Sequence, residues 1–129
     1  MGKPVRIMVA QDFPELREQL RLHLEKEGFQ VLLANDGGEA LALIEHPDGL
    51  SLVITDINLP GFSGFEVAEH ARARHPTIPI IFVTGHPEQV ERSGISAPMR
   101  CLAKPIRPAL LSEAMTQLLG LAFDRRTTA

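Results

Sequence analysis

Asp12, Asp56, Thr84 and Lys104 are the residues whose types and spacing could do chemistry together. Each stands just past a short apolar run, at residues 5–10, 52–55, 79–83 and 99–103. Two carboxylates, a hydroxyl and an ammonium suit phosphoryl transfer to a carboxylate. Asp56 is the candidate nucleophile, a former of aspartyl phosphate. Mg²⁺ takes hard oxygen ligands, commonly one or two carboxylates with phosphate and water, and Asp12 and Asp56 can supply the carboxylates. The transferred group carries charge on its equatorial oxygens, so positioned cations and donors do most of the catalysis. Mg²⁺, the Lys104 ammonium and the Thr84 hydroxyl would share that role. Singly, each residue has a structural explanation: Asp12 as a helix N-cap, Asp56 as a turn cap, Thr84 as a turn residue, Lys104 as a charge leaving the core. Jointly they make one coherent set.

The set works only if a framework brings all four to a common edge. Residues 51–61 (SLVITDINLPG) run four apolar or β-branched residues, Leu52 to Thr55, straight into Asp56 and then a turn at Pro60 and Gly61. A short apolar run bounded by turn signals reads as a strand buried on both faces. Such strands belong to parallel sheets covered by helices. Residues 5–10, 29–34, 79–83 and 99–103 read as four further strands. Between them lie helical patterns. The first opens at Asp12 as N-cap, with Pro14 and Glu15 close behind, carries the stripe Leu16, Leu20 and Leu24, and ends at Gly28. A turn at residues 35–38 precedes a second helix with Ala40, Leu41, Leu43 and Ile44, which stops before Pro47. Ser63 caps a third, running to about Arg74, with Phe65, Ala68 and Ala71 inward. A short, weak fourth covers residues 87–92, and a loop with Gly94 and Pro98 follows. Pro108 opens the last, through Leu111, Ala114, Met115 and Leu118. Five βα units imply an α/β, doubly wound parallel sheet with helices on both faces. All strand carboxyl ends then share one edge, where open α/β sheets bind ligands.

The 129 residues suffice for one domain, expected over residues 4–120 with a frayed tail at 121–129. A formal net charge of -3 and no long basic run argue against direct nucleic-acid binding. The single cysteine, Cys101, excludes an internal disulfide and fits a reducing compartment. The five histidines are scattered, without zinc spacing. The apolar-rich run after Pro4 is too short for a signal peptide or membrane span. A cytoplasmic protein is expected.

The motifs Asp56-x-x-Leu59-Pro60-x-x-x-Gly64, Thr84-Gly85 and Lys104-Pro105 together resemble the receiver domain of two-component response regulators, including the chemotaxis regulator. The resemblance covers about residues 4–120. It implies a flavodoxin-like (βα)5 fold with strand order 2-1-3-4-5. It also implies Asp56 as phosphoacceptor, with Asp12, Asp56 and the Asn58 backbone carbonyl as Mg²⁺ ligands. Thr84, Gly85, Lys104 and Pro105 would form the phosphoryl-binding and switch region, with a cis bond at Lys104-Pro105. Asn58 and His86 would flank the attacking water and tune hydrolysis. The implied partners are a sensor histidine kinase or histidine phosphotransfer protein and a downstream protein target, with a homodimer through the face of the fourth helix, fifth strand and fifth helix. The expectation is a stand-alone switch that assists its own phosphotransfer and dephosphorylation, rather than an enzyme.

Two departures stand out. The family usually has two adjacent acids after the first strand; here the first position is Gln11, whose carbonyl could still reach a metal-bound water. Loss of one charge predicts weaker Mg²⁺ affinity, not a lost site. Cys101 stands three residues before Lys104, where the family usually has Tyr or Phe, so the aromatic readout has no counterpart. These two departures favour the rival reading, a phosphorylation-independent interaction module on the same scaffold. A haloacid-dehalogenase-like phosphatase needs a second Asp where Asn58 stands, and Asn cannot transfer protons. A flavin or dinucleotide binder needs a phosphate-cradling glycine loop, which residues 10–14 (AQDFP) lack.

Overall fold

The computed structural model describes residues 4–120; the expected tail at 121–129 lies outside the described residues. The elements are β1 (Arg6–Ala10), α1 (Pro14–Lys26), β2 (Gln30–Ala34), α2 (Gly37–Ile44), β3 (Leu52–Asp56), α3 (Gly64–Arg74), β4 (Ile80–Thr84), α4 (Pro87–Glu91), β5 (Met99–Ala103) and α5 (Pro108–Leu119). The strands form one parallel sheet in the order β2-β1-β3-β4-β5. This is the flavodoxin-like order.

Period-two alternation divides each strand between two cores. Met8, Ala10, Val53, Ile80 and Phe82 face α2, α3 and α4, meeting Ala40, Ile44, Val67, Ala68, Ala71 and Val90. Ile7, Val9, Leu52, Ile54, Ile81 and Val83 face α1 and α5, meeting Leu20, Leu24, Leu111, Ala114 and Met115. β3 and β4 are buried along their whole length, as expected for continuous apolar runs covered on both sides. After β2 the chain returns past β1 to β3, which places the topological switch point between β1 and β3.

Side-chain caps start α2 and α3. Ser63 accepts from the Glu66 amide while Glu66 returns a bond to the Ser63 amide, a capping box that starts α3. Phe65 is only half-buried, but its ring lies 5.3 Å from that of Phe82. Two expectations need correction. Asp12 does not cap α1: the N-cap is Phe13, with no side-chain cap bond. The Phe13 amide donates to Gln11 Oε1 at 3.1 Å, and Asp12 is exposed. Gly37 and Gly38 are not turn residues but the first turn of α2, because Asp36 accepts from the Glu39 amide at 2.8 Å and caps the helix. Gly37 must be small there, since a Cβ would lie 2.6 Å from Phe62 Cβ.

Candidate functional site at the carboxyl edge of the sheet

Strand register assembles the edge. Ala10 pairs with Thr55, Asp56 with Val83, and Thr84 with Ala103. Gln11 therefore follows β1 beside Asp56, and Lys104 follows β5 beside Thr84. The Lys104 amide donates to the Thr84 carbonyl at 2.9 Å, extending the ladder one step, and the Lys104-Pro105 bond is cis. Ala97-Pro98 is cis as well.

Asp56 is 5% exposed and collects three donors. Lys104 Nζ donates to Oδ2 at 2.6 Å and Gln11 Nε2 to the same oxygen at 3.3 Å. The Asn58 amide donates to Oδ1 at 3.3 Å. The ion pair sits at the surface boundary, with the Asp56 side chain 7% and the Lys104 side chain 36% exposed. Burying a carboxylate this far without partners would be costly, and the three donors offset that cost.

The loop carrying Asp56 is held by backbone crowding. Gly64 donates to the Ile57 carbonyl at 2.7 Å, and a Cβ there would lie 2.0 Å from the Asp56 carbonyl oxygen. Only glycine lets α3 start so close to the end of β3.

The other expected residues are placed as follows. Thr84 is buried, and its Oγ1 accepts from the His86 amide at 2.8 Å, so the hydroxyl proton remains to donate. A Cβ on Gly85 would meet nothing within 4 Å, so open space lies beside Thr84. The side chains of Asn58 and His86 are exposed, and His86 Nδ1 lies 3.5 Å from Glu88 Oε1. The Asp12 side chain makes no hydrogen bond or ion pair among the described residues. Cys101 is half-buried on β5, pairs with Phe82 and packs on the α2–α3–α4 core. Burial first, and then Glu88 and Glu91, push its thiol pKa up, so it is a protonated packing residue. A groove lined by Phe13, Leu16, Gln19, Lys104, Pro105 and Ile106 adjoins the site, with Phe13 56% exposed.

Gln11 has a part that the sequence expectation did not include. Its oxygen accepts from the Phe13 amide and its NH₂ faces Asp56, so it is a direct donor to the carboxylate. Its position one residue beyond β1 comes to lie beside Asp56 only through the β1–β3 register. The Asn58 amide bond to Asp56 carries no sequence signal, because any non-proline residue supplies that donor.

The response regulator receiver domain model matches residues 7–116. The chain is 36% identical over 128 residues to response regulator MprA of Mycolicibacterium vanbaalenii, covering 97% of this chain and 52% of that protein. It spans about half or less of the length of the curated relatives it matches. A response regulator receiver protein from Sinorhizobium medicae superposes with a TM-score of 0.85 at 29% identity, covering 91% of this chain and 95% of that one. Response regulator TrrA from Thermotoga maritima, solved in complex with Mg²⁺-BeF, matches with a TM-score of 0.76 at 34% identity, covering 89% and 99%. The chain belongs to the response regulator receiver domain family.

Proposed function

We propose that this chain is a phosphorylation-dependent switch of two-component signalling with Asp56 as its phosphoacceptor. The observation that carries the reading is the enclosed Asp56 carboxylate at the end of a central strand, met by Lys104 on one oxygen and the Asn58 amide on the other. The donor is a phosphohistidine on a sensor histidine kinase or histidine phosphotransfer protein. An Asp56 oxygen attacks phosphorus, the P–O bond forms as the P–N bond breaks, and the imidazole leaves with the electron pair. Lys104 meets the charge on the transferred group, and the Thr84 hydroxyl, with open space beside Gly85, donates to one of its oxygens. Water attack later returns Asp56 to its carboxylate, and the exposed Asn58 and His86 side chains are placed to tune that step.

The donor set fits Mg²⁺ in a water-rich site: the Asp12 and Asp56 carboxylates and the Asn58 carbonyl are hard oxygens. Among the described residues no group of three or more His, Cys, Asp or Glu could hold a metal. Mg²⁺, when bound, would supply charge neutralisation to the transferred phosphoryl oxygens. We place donor docking at the groove beside Phe13 and Lys104, which opens next to the site. Output through α4, β5 and α5, to a protein target or a second copy, fits the five residues and missing side-chain cap of α4. We take residues 4–120 as the functional unit. Among the described residues no helix is long and apolar enough to cross a membrane.

Intact mass after incubation with acetyl phosphate and Mg²⁺ tests this reading. One added phosphoryl group in the parent and none in Asp56→Asn is the expected result. No gain there, and none from phosphorylated histidine kinases, would overturn it. The second reading, an interaction module independent of phosphorylation, would then stand, favoured by Gln11 at the acid position and Cys101 at the aromatic one.

A further inference from the structure

We propose that Gln11 is a positioning residue that completes the metal-free site and sets the balance between its metal-free and metal-loaded forms. The inference rests on the reading of Asp12 and Asp56 as the divalent-cation carboxylates. Gln11 is 1% exposed, and every polar group on it is used. Its amide N–H donates to the Ala34 carbonyl at 3.0 Å and its carbonyl accepts from Arg17 Nη1 at 2.9 Å. Its side-chain oxygen accepts from the Phe13 amide and its NH₂ donates to Asp56 Oδ2. Those partners dictate the amide's orientation. The Phe13 N–H can only donate and the Asp56 carboxylate can only accept, so a reversed amide would set like against like at both ends.

A glutamate at this position would behave in the opposite way. It could still accept from Phe13, but its second oxygen would face Asp56 Oδ2. Two carboxylate oxygens in contact repel one another, and the Lys104 ammonium on the same Asp56 oxygen offsets that only in part. The metal-free site would then be frustrated and the metal-loaded site favoured. With Gln11 the metal-free carboxylate already has donors from Gln11, Lys104 and Asn58. An arriving cation meets one charge fewer and competes with a built-in donor for Asp56.

The experiment compares the parent with Gln11→Glu in two readouts that need no phosphoryl transfer. Mg²⁺ binding is measured by titration calorimetry, and thermal midpoints are taken in EDTA and in saturating Mg²⁺. The expected result is a crossing. Gln11→Glu melts lower than the parent in EDTA, gains more from Mg²⁺, and binds Mg²⁺ about tenfold or more tightly, the scale of one added charge beside a divalent ion after screening. A residue that merely packs would lower both midpoints equally, and that outcome, or an unchanged Mg²⁺ affinity, overturns the proposal. If Gln11→Glu does not fold, the parent still decides. The Gln11 side-chain amide signals in ¹⁵N-labelled protein, assigned by their loss in Gln11→Met, are expected to move on Asp56→Asn and on Mg²⁺ addition. Signals indifferent to both would refute the contact. Phosphoryl uptake is scored separately, so failure of the phosphoacceptor reading leaves this result distinct.

Discussion

Gly64→Ala is expected to damage the fold and the Asp56 site together. The added Cβ would lie 2.0 Å from the Asp56 carbonyl oxygen, and 2.9 Å from both the Asp56 carbonyl carbon and Ile57 Cα. Carbon–oxygen contacts normally sit at about 3.3–3.6 Å, so the chain must open by roughly an ångström or more. All three atoms are backbone, and no rotamer change relieves them. The Gly64 amide bond to the Ile57 carbonyl, 2.7 Å long, is pulled apart by the same movement. Alanine gains about 1 kcal/mol of helix propensity over glycine, which opposes the loss. Overpacking costs about 1–3 kcal/mol and more where backbone must move, so a net loss of about 2–3 kcal/mol is expected. At roughly 4 °C per kcal/mol for a domain of this size, the midpoint should fall by about 10 °C. Gly38→Ala is the control. It is also helical, but its Cβ would meet only the end of the Asp36 carboxylate, at 3.4 Å. A gain of up to about 1 kcal/mol is expected there. Circular-dichroism melts of both variants, with phosphoryl uptake by intact mass, decide the matter. A Gly64→Ala midpoint within about 2 °C of the parent with undiminished uptake would refute the reasoning, and so would equal losses in the two variants.

Three further outcomes follow from particular contacts. Lys104→Met removes the 2.6 Å donor from Asp56 Oδ2; because that lysine is partly exposed, the stability loss should be only about 1 kcal/mol. Phosphoryl uptake should fall by about tenfold or more, and a variant that accepts at the parent's rate would remove Lys104 from the site. Arg72 ties α3 to the segments before β4 and β5, donating to the Ile78 carbonyl and the Pro98 carbonyl, each at 2.7 Å. Arg72→Lys keeps the charge but not the fork, and should cost about 2 kcal/mol in urea unfolding; parity with the parent would show the fork to be dispensable. The Cys101 thiol should titrate above the ordinary value of about 8.5 when followed by thiolate absorbance, because burial and Glu88 and Glu91 disfavour its anion. The stability linked to the protonated thiol is complete below that ordinary value and is lost as pH rises through the raised one. Glu88→Gln should lower the titration midpoint, and a midpoint at or below the ordinary value would contradict the half-buried placement.

The sequence by itself determined the fold class and the chemical set. Short apolar-rich runs bounded by turn signals read as strands, and five of them separated by helical patterns point to a parallel winding. The polar residues at their carboxyl ends, Asp56 and Lys104 above all, then have to share one edge. Ser63 and Glu66 wrote their own capping box, because both partners lie within one turn. What tertiary structure alone decided involves partners distant along the chain. Gln11 could not be seen as a donor to Asp56 until strand register set β1 beside β3. Asp12 looked like a helix cap because its type suits one, yet α1 starts one residue later, with Phe13 at the N-cap. Gly64 carried a motif position, but its necessity comes from backbone across the loop at Asp56. Glycines at residues 37 and 38 read as a turn although the Asp36–Glu39 cap is local; only the close approach of Phe62 to Gly37 is tertiary. Local chemistry is written in neighbouring residues; the occupancy of each donor and acceptor is settled only when the sheet brings distant ones into competition.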